Sequence, residues 1–323
     1  MTTKIQMTLV YVFLAVFISQ PSISTIVLAN ENLEEETIVI QSVVEKLEVT
    51  RPLFLFDEIG GNRIGVVSPQ TVTIIERHCE RWVKIYSWMG HKWLYIGPQL
   101  PRVIDPSQPM IALTFDDGPA AHTLSIANTF EMHGANATFF VLGRLAEQNP
   151  YAIIELSARG FEVLGHSWDH PDLTRLSQQR VEEQILRTQH KIESLIGSIP
   201  MMYRTPYGAQ NDTVFAASKN TGFSIIHWSR DPMDWHVRNA NTVANLILYG
   251  GTVRRGNTVH RMGRARDGDI IVLHDTHQTT AVAMERVVPA LIARGYQLVT
   301  VSELFYHRGI DPQPGVMYHS ARA

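Results

Sequence analysis

From residue 110 onward, short apolar runs alternate with longer stretches of helical period. MIALTF, ATFFVLG, FEVLGH, MMYRT, SIIHW, DIIVLH and YQLVTV have the length and composition of strands. Between them, QRVEEQILRTQHKIESLIG (Gln179 to Gly197) and MERVVPALIARG (Met284 to Gly295) space their apolar residues as helices do. Both end in glycine, a usual helix stop. Strands that alternate with helices make parallel neighbours, because each return must cross over the sheet. The pattern predicts an α/β domain over 110–306, a distorted or incomplete (β/α) barrel of about seven parallel strands, with 307–323 as a C-terminal tail.

The chain before it is patterned differently. LFLF from Leu53, TVTIIE from Thr71, WVKIYSW from Trp82 and KWLYI from Lys92 are short β-patterned runs, and Gly60-Gly61 and Gly90 supply turns. Strands this short and close predict a small all-β domain over 37–96. Residues 97–109 hold four prolines in thirteen positions and read as a semi-rigid linker. At the N-terminus, Lys4 precedes the apolar run Leu9 to Ile18, and Pro21, Ser22 and Ser24 break it before Val27-Leu28-Ala29. That is the plan of a secretory signal over 1–29, cleaved after Ala29. The run falls short of the roughly 20 apolar residues that span a bilayer, so no stable membrane span is expected after cleavage.

Composition narrows the classes. A net charge of -3 over 323 residues gives no basic excess for a nucleic-acid partner. A single cysteine, Cys79, excludes an intramolecular disulfide framework and reads as an apolar filler. Besides the acidic patch Glu34-Glu35-Glu36, charge is concentrated in GTVRRGNTVHRMGRARD, which has five arginines and no acid before Asp267; it reads as a basic flap or a solvated loop.

The candidate chemistry gathers at strand ends. The first strand ends in Asp116-Asp117-Gly118-Pro119, the third in His166 and His170, and the fourth in Arg204-Thr205-Pro206-Tyr207. The fifth runs into Asp231 and Asp234-Trp235, and the sixth ends in His274-Asp275. In βα-barrels that carboxyl-end face is where active sites are built. The two histidines of HSWDHP have the spacing of a zinc protease helix, but Pro171 disfavours a helix there and Ser167 stands where the protease carries its glutamate base. They are expected on a loop instead. Two imidazoles and a carboxylate leave coordination positions open, as catalytic zinc or non-haem Fe(II) sites do. Asp116 and Asp117 should divide the work between metal and proton transfer, in an order the residues themselves leave open.

TFDDGP (Thr114 to Pro119), HSWDHP (His166 to Pro171), RTPYG (Arg204 to Gly208), DPMDW (Asp231 to Trp235) and LHD (Leu273 to Asp275) resemble, in order, the motifs of the polysaccharide deacetylases with the NodB homology domain, carbohydrate esterase family 4. The closing HDTHQTTAVAMERVVPALIARGYQLVTVSELF is similar to the peptidoglycan N-acetylglucosamine deacetylase branch. The resemblance implies that Asp117, His166 and His170 hold a divalent metal, usually Zn²⁺, with Co²⁺, Ni²⁺ or Fe²⁺ also suited. It implies Asp116 as general base oriented by Arg204, the Tyr207 backbone N–H as oxyanion donor, and His274 as general acid tuned by Asp234. Trp235 and Leu273 would wall the acetyl methyl. The expected substrate is peptidoglycan or another GlcNAc polymer, with chitin, chitooligosaccharide or acetylxylan as alternatives and an inactive wall-binding protein as the contrasting class. The 37–96 segment, through RWVKIYSWMGHKW, resembles a bacterial SH3-type domain, for which Trp82, Trp88 and Trp93 would supply either a binding surface or core. A secreted, cell-wall-associated bacterial monomer is the resulting expectation.

Overall fold

The computed structural model describes residues 104–322 and, before them, 24–25, 39–40, 45–49, 53–58, 63–68, 70–78 and 82–96. The signal expected over 1–29 lies outside the described residues apart from Ser24–Thr25, as do Cys79 and residues 97–103 of the linker. The chain divides into two compact units, 1–97 and 98–323. Among the described residues no helix is long and apolar enough to cross a membrane.

In the first unit six antiparallel strands form one sheet, in the order Lys46–Val49, Gln70–His78, Trp82–Ser87, Gly90–Tyr95, Leu53–Phe56, Arg63–Val67. Alternation puts Val83 and Ile85 inward, where they meet Leu55, Val67, Ile74 and Leu94. Trp82 and Trp93 are half-buried, Trp82 edge-on to Phe56 with ring centroids 5.0 Å apart. Trp88 is 67% exposed and belongs to the surface.

The second unit is built on a parallel sheet. Its strands are β1 (Met110–Gly118), β2 (Thr138–Val141), β3 (Glu162–Gly165), β4 (Met202–Tyr203), β5 (Ser224–Ile226), β6 (Ile270–His274), β7 (Gln297–Leu298) and β8 (Met317–Tyr318). They run in the order β6-β1-β2-β3-β4-β5-β8, with β7 beside the start of β1. The crossovers carry α1 (Thr123–Met132), α2 (Gly143–Gln148), α3 (Pro150–Ala158), α4 (Gln178–Ile196), α5 (Asp212–Thr221), α6 (Ala240–Tyr249), α7 (Gln278–Ala293) and α8 (Val301–His307). Past β5 the chain returns to β6: Ser229 N–H donates to the Ile270 carbonyl at 2.9 Å, and Val272 N–H to the Arg230 carbonyl at 3.1 Å. The sheet therefore curls into the expected incomplete barrel.

Period-2 alternation sorts β1 into two faces. Ile111, Leu113 and Phe115 pack under the helices with Phe130, Ile271 and Leu273. Met110 and Ala112 point inward with Phe140, Ile226 and Ile270, and form an apolar floor. Thr114 and Asp116 continue that inward row above the floor, so the strand ends by delivering a carboxylate to the barrel mouth.

Residues 307–323 are not a tail. β8 pairs in parallel with β5, the Tyr318 ring lies 5.4 Å from that of Phe305, and Ala321 is buried. A two-residue strand flanked by Pro314, Gly315 and polar positions carries no readable period; only its neighbour β5 makes it a strand. The arginine-rich segment is likewise more ordered than a loop: Gly250–Arg255 and Thr258–Gly263 pair as an exposed antiparallel hairpin between α6 and β6.

Candidate active site

Asp116 and Asp117 are neighbours on β1, and strict alternation would turn Asp117 toward the helices. The register with β2 slips here instead: Phe140 faces Asp116, Val141 faces Gly118, and Asp117 is the extra residue of a bulge. With φ at 75° it sits in the left-handed region, and its carboxylate joins the mouth beside that of Asp116. Gly118 allows the turn that follows, since a Cβ there would collide with the buried carboxylate of Asp275.

HSWDHP leaves β3 as a loop, as Pro171 requires. Ser167 and His170 both have positive φ, and the Ser167 hydroxyl accepts from the His170 N–H at 3.1 Å. Gln184 of α4 pins the loop by bonding the Trp168 N–H and the Asp169 carboxylate, each at 2.8 Å. The two imidazoles are thereby brought to Asp117 Oδ1, with His170 Nε2 at 3.2 Å and His166 Nε2 at 3.5 Å. The three ligand atoms lie within 4.8 Å of one another.

This donor set fits a divalent cation. Asp117 Oδ1 is buried and has no hydrogen-bond partner. His166 Nδ1 lies 2.9 Å from the Arg204 carbonyl, so it carries the proton and leaves Nε2 as the lone-pair donor. Burial holds that imidazole neutral, its pKa pushed down to about 3.

Two acid–base pairs flank the three ligands. In the first, the fully buried Arg204 reaches Asp116 Oδ1 at 2.6 Å and Thr114 Oγ1 at 2.8 Å. Its remaining donors go to the carbonyls of Ile226 and His227, each at 3.1 Å, and its guanidinium lies 3.9 Å over the Phe140 ring. Burial raises the Asp116 pKa, and Arg204 pulls against that rise. In the second, Asp234 Oδ1 meets His274 Nδ1 at 2.8 Å, while Oδ2 accepts from the His274 N–H at 2.8 Å and from Thr280 Oγ1 at 2.6 Å. Burial alone would lower the His274 pKa; the bond and charge of Asp234, with Asp116 and Asp117 behind it, outweigh this and raise it to about 9. Register places His274 directly across from Asp116.

Tyr207, 68% exposed and left-handed at φ 59°, stands on the rim with its ring 4.5 Å from that of His170. Trp235 is half-buried at the same mouth, its N–H bonded to Asp234 Oδ1 at 3.0 Å. Leu273 pairs with Phe115 on the helix side and is wholly buried, so of the two expected wall residues only Trp235 presents surface. Among the described residues, positive φ at non-glycine positions falls on Asp117, in the bulge that ends β1, and on Ser167, His170, Tyr207 and Met233, beyond the strand ends around this mouth. Such strain persists where surrounding contacts over-determine the backbone.

A family model described as Polysaccharide deacetylase matches residues 104–226. The solved structure of the peptidoglycan deacetylase PdaC from Bacillus subtilis aligns at 38% identity with a TM-score of 0.56, over 64% of this chain and 94% of that one. The chain belongs to the polysaccharide deacetylase family. Among curated relatives of this polysaccharide deacetylase, the peptidoglycan-N-acetylglucosamine deacetylase PgdA of Listeria monocytogenes is 39% identical over 209 residues. The peptidoglycan-N-acetylmuramic acid deacetylase PdaC of Bacillus subtilis is 40% identical over 208. Each alignment covers 64% of this chain and 41% of the relative, so the chain spans about two fifths of the length of these curated relatives.

Three groups in the site had no role assigned from the sequence. Thr280 is five residues beyond the last motif and reaches Asp234 only because α7 begins there. Thr114 shares the Arg204 donor with Asp116 and is visible only through the inward face of β1. Asp275 turns beneath Gly118, bonded to Thr123, with its pKa raised to about 7 by burial. It was visible as a motif residue but had no assigned role.

Proposed function

We propose that this chain removes N-acetyl groups from GlcNAc residues of a cell-wall glycan, peptidoglycan by preference, as a metal-dependent hydrolase acting outside the cell. The observation that carries this is the placement of a base and an acid, each held by its own partner, beside three ligand side chains: Asp116 held by Arg204, and His274 held by Asp234. Asp117, His166 and His170 would hold the cation, most suitably Zn²⁺. When bound, a divalent cation acts as a Lewis acid toward water and the acetamide oxygen.

The side chains then divide the proton work. Asp116 takes the proton of the attacking water as the new C–O bond forms, and its raised pKa makes it a better acceptor than an ordinary carboxylate. Arg204 keeps the other carboxylate oxygen fixed so that one lone pair faces the reaction. The Tyr207 N–H, on its strained rim, is the proposed donor to the developing oxyanion, a contact whose loss typically costs ~10²–10³-fold in rate. His274 gives its proton to the departing nitrogen as the C–N bond breaks, leaving acetate and a free amine. An amine leaves poorly without that proton, and a His274 pKa near 9 supplies it at neutral pH, which favours an amide over an ester substrate. Trp235 would shield the acetyl methyl from water.

The β unit before it is read as an SH3-like wall-docking module, supported by the exposed Trp88 and Tyr86. The test of the catalytic reading is acetate release from peptidoglycan, GlcNAc oligomers and acetylxylan, with and without a chelator. Chelator-sensitive release from the N-acetyl polymers is expected; release from acetylxylan alone would overturn the amidase assignment.

A further inference from the structure

The hairpin between α6 and β6 and the residues that lead from it have no acidic partner for their charge among the described residues. None of Arg254, Arg255, Arg261, Arg264 and Arg266 forms an ion pair among the described residues. Pairing of Arg255 with Thr258 and of Val253 with His260 gives the hairpin two faces. Val253 and Met262 are half-buried on one face, while Arg254 and Arg261 stand exposed on the other. Its tip reaches the active-site mouth: the Arg255 guanidinium lies 4.8 Å over the Trp235 ring. His236 Nε2 meets the Arg254 carbonyl at 3.1 Å. Trp235 in turn is bonded to Asp234, the partner of His274. An exposed cationic arm is therefore fixed at one edge of the site, where it adjoins whatever extends from the acetamide on that side.

We propose that this hairpin is a carboxylate-binding subsite that selects glycan strands carrying carboxylates next to the N-acetyl sugar, over neutral GlcNAc polymers. The proposal rests on the deacetylase reading above and deepens it by naming the substrate feature that is recognised. Charge complementarity is its basis. Asp116, Asp117 and Asp234 are committed to the ligand cluster, Arg204 and His274, whereas the hairpin offers guanidinium groups without acids. Guanidinium is also suited to carboxylate through paired N–H donors. Arg255, stacked on Trp235, presents such a fork at a fixed place; Arg254 and Arg261, on the opposite face of the hairpin, add to the positive field around it. Their exposure makes the effect salt-sensitive, because charges this accessible are screened over roughly 8 Å at physiological ionic strength.

The test compares native peptidoglycan with the same polymer after its carboxyls are amidated, using the full chain and the variant Arg254→Gln/Arg255→Gln/Arg261→Gln. The wild type should favour the native polymer in kcat/KM, and the variant should lose that preference by about tenfold, with the wild type approaching it at high salt. The proposal is overturned if both polymers are affected equally or neither is. Sedimentation of the chain with the two polymers gives a second readout that needs no turnover. Wild-type chain that pellets more with native than with amidated wall, a difference lost in the variant, supports the subsite even if no acetate is released. Absence of acetate from every polymer would overturn the deacetylase reading instead. Binding that disappears only when phosphate-bearing wall polymers are stripped would overturn the carboxylate assignment.

Discussion

At the scale of single residues, the two acid–base pairs differ in kind, and each predicts its own defect. Asp116→Asn keeps the Arg204 contact but cannot take a proton, and His274→Ala removes the donor to the leaving amine. Each should lower kcat by ~10²–10⁴-fold while zinc titration of the protein stays unchanged, because neither is among the three ligands. Retained turnover in either variant would remove that residue from the chemistry. Asp234→Asn tests tuning. The His274 pKa is raised to about 9, above its ordinary value near 6.5, so the acid form persists below pH 9 and is lost as pH rises through it. Asp116 is also raised, so activity on the acid side should fall as pH drops through its pKa. In Asp234→Asn the alkaline limb of kcat/KM should move down toward the ordinary histidine value, and an unmoved limb would detach it from His274. The sequence exposed these residues because each lies at the end of a strand-like run. It could not expose Thr280 or Thr114, whose hydroxyls look ordinary until α7 and the inward face of β1 are built. Leu273 shows the reverse: motif position suggested contact with substrate, while alternation sent it to the helix side.

At the scale of elements, the bulge in β1, the final strand β8 and the arginine hairpin are local structures that the chain pattern did not announce. The bulge turns two adjacent carboxylates, which alternation would separate, toward one mouth. β8 covers β5, and Tyr318 packs on Phe305 of α8. Truncation after Ile310 should therefore unseat α8 and bare the inner floor at Ile226 and Phe305. A fall in Tm of several degrees is expected, since each kcal/mol lost shifts Tm by roughly 2–4 °C in a domain of this size. An unchanged melt would mean that β8 is dispensable after all. The seven strand-like runs of the sequence were readable because each holds several apolar residues close together, although only two residues of MMYRT and two of YQLVTV pair, as β4 and β7. β8 has two residues and no period, and the hairpin strands are too rich in glycine and arginine to alternate visibly.

At the scale of the whole molecule, residues 1–97 and 98–323 form separate units with separate cores. Residues 98–323 alone should fold and release acetate from soluble GlcNAc oligomers with kcat/KM close to that of the full chain. Loss of activity despite a cooperative melt would make the first unit part of the catalytic apparatus. The sequence by itself determined the alternation of strand and helix, and with it a parallel sheet whose carboxyl ends must gather on one face. It also determined the residue types there, because Asp, His and Arg that are buried at strand ends, as Asp116, His166, Arg204 and Asp234 are, must find partners in one another. How two adjacent carboxylates come to face the histidines and Arg204 at one mouth, where Thr280 lands and how the arginine hairpin reaches Trp235 were decided only in the tertiary structure. Those relations join residues tens to over a hundred positions apart, and they depend on register, bulge and curl, quantities that no local pattern of hydrophobicity encodes.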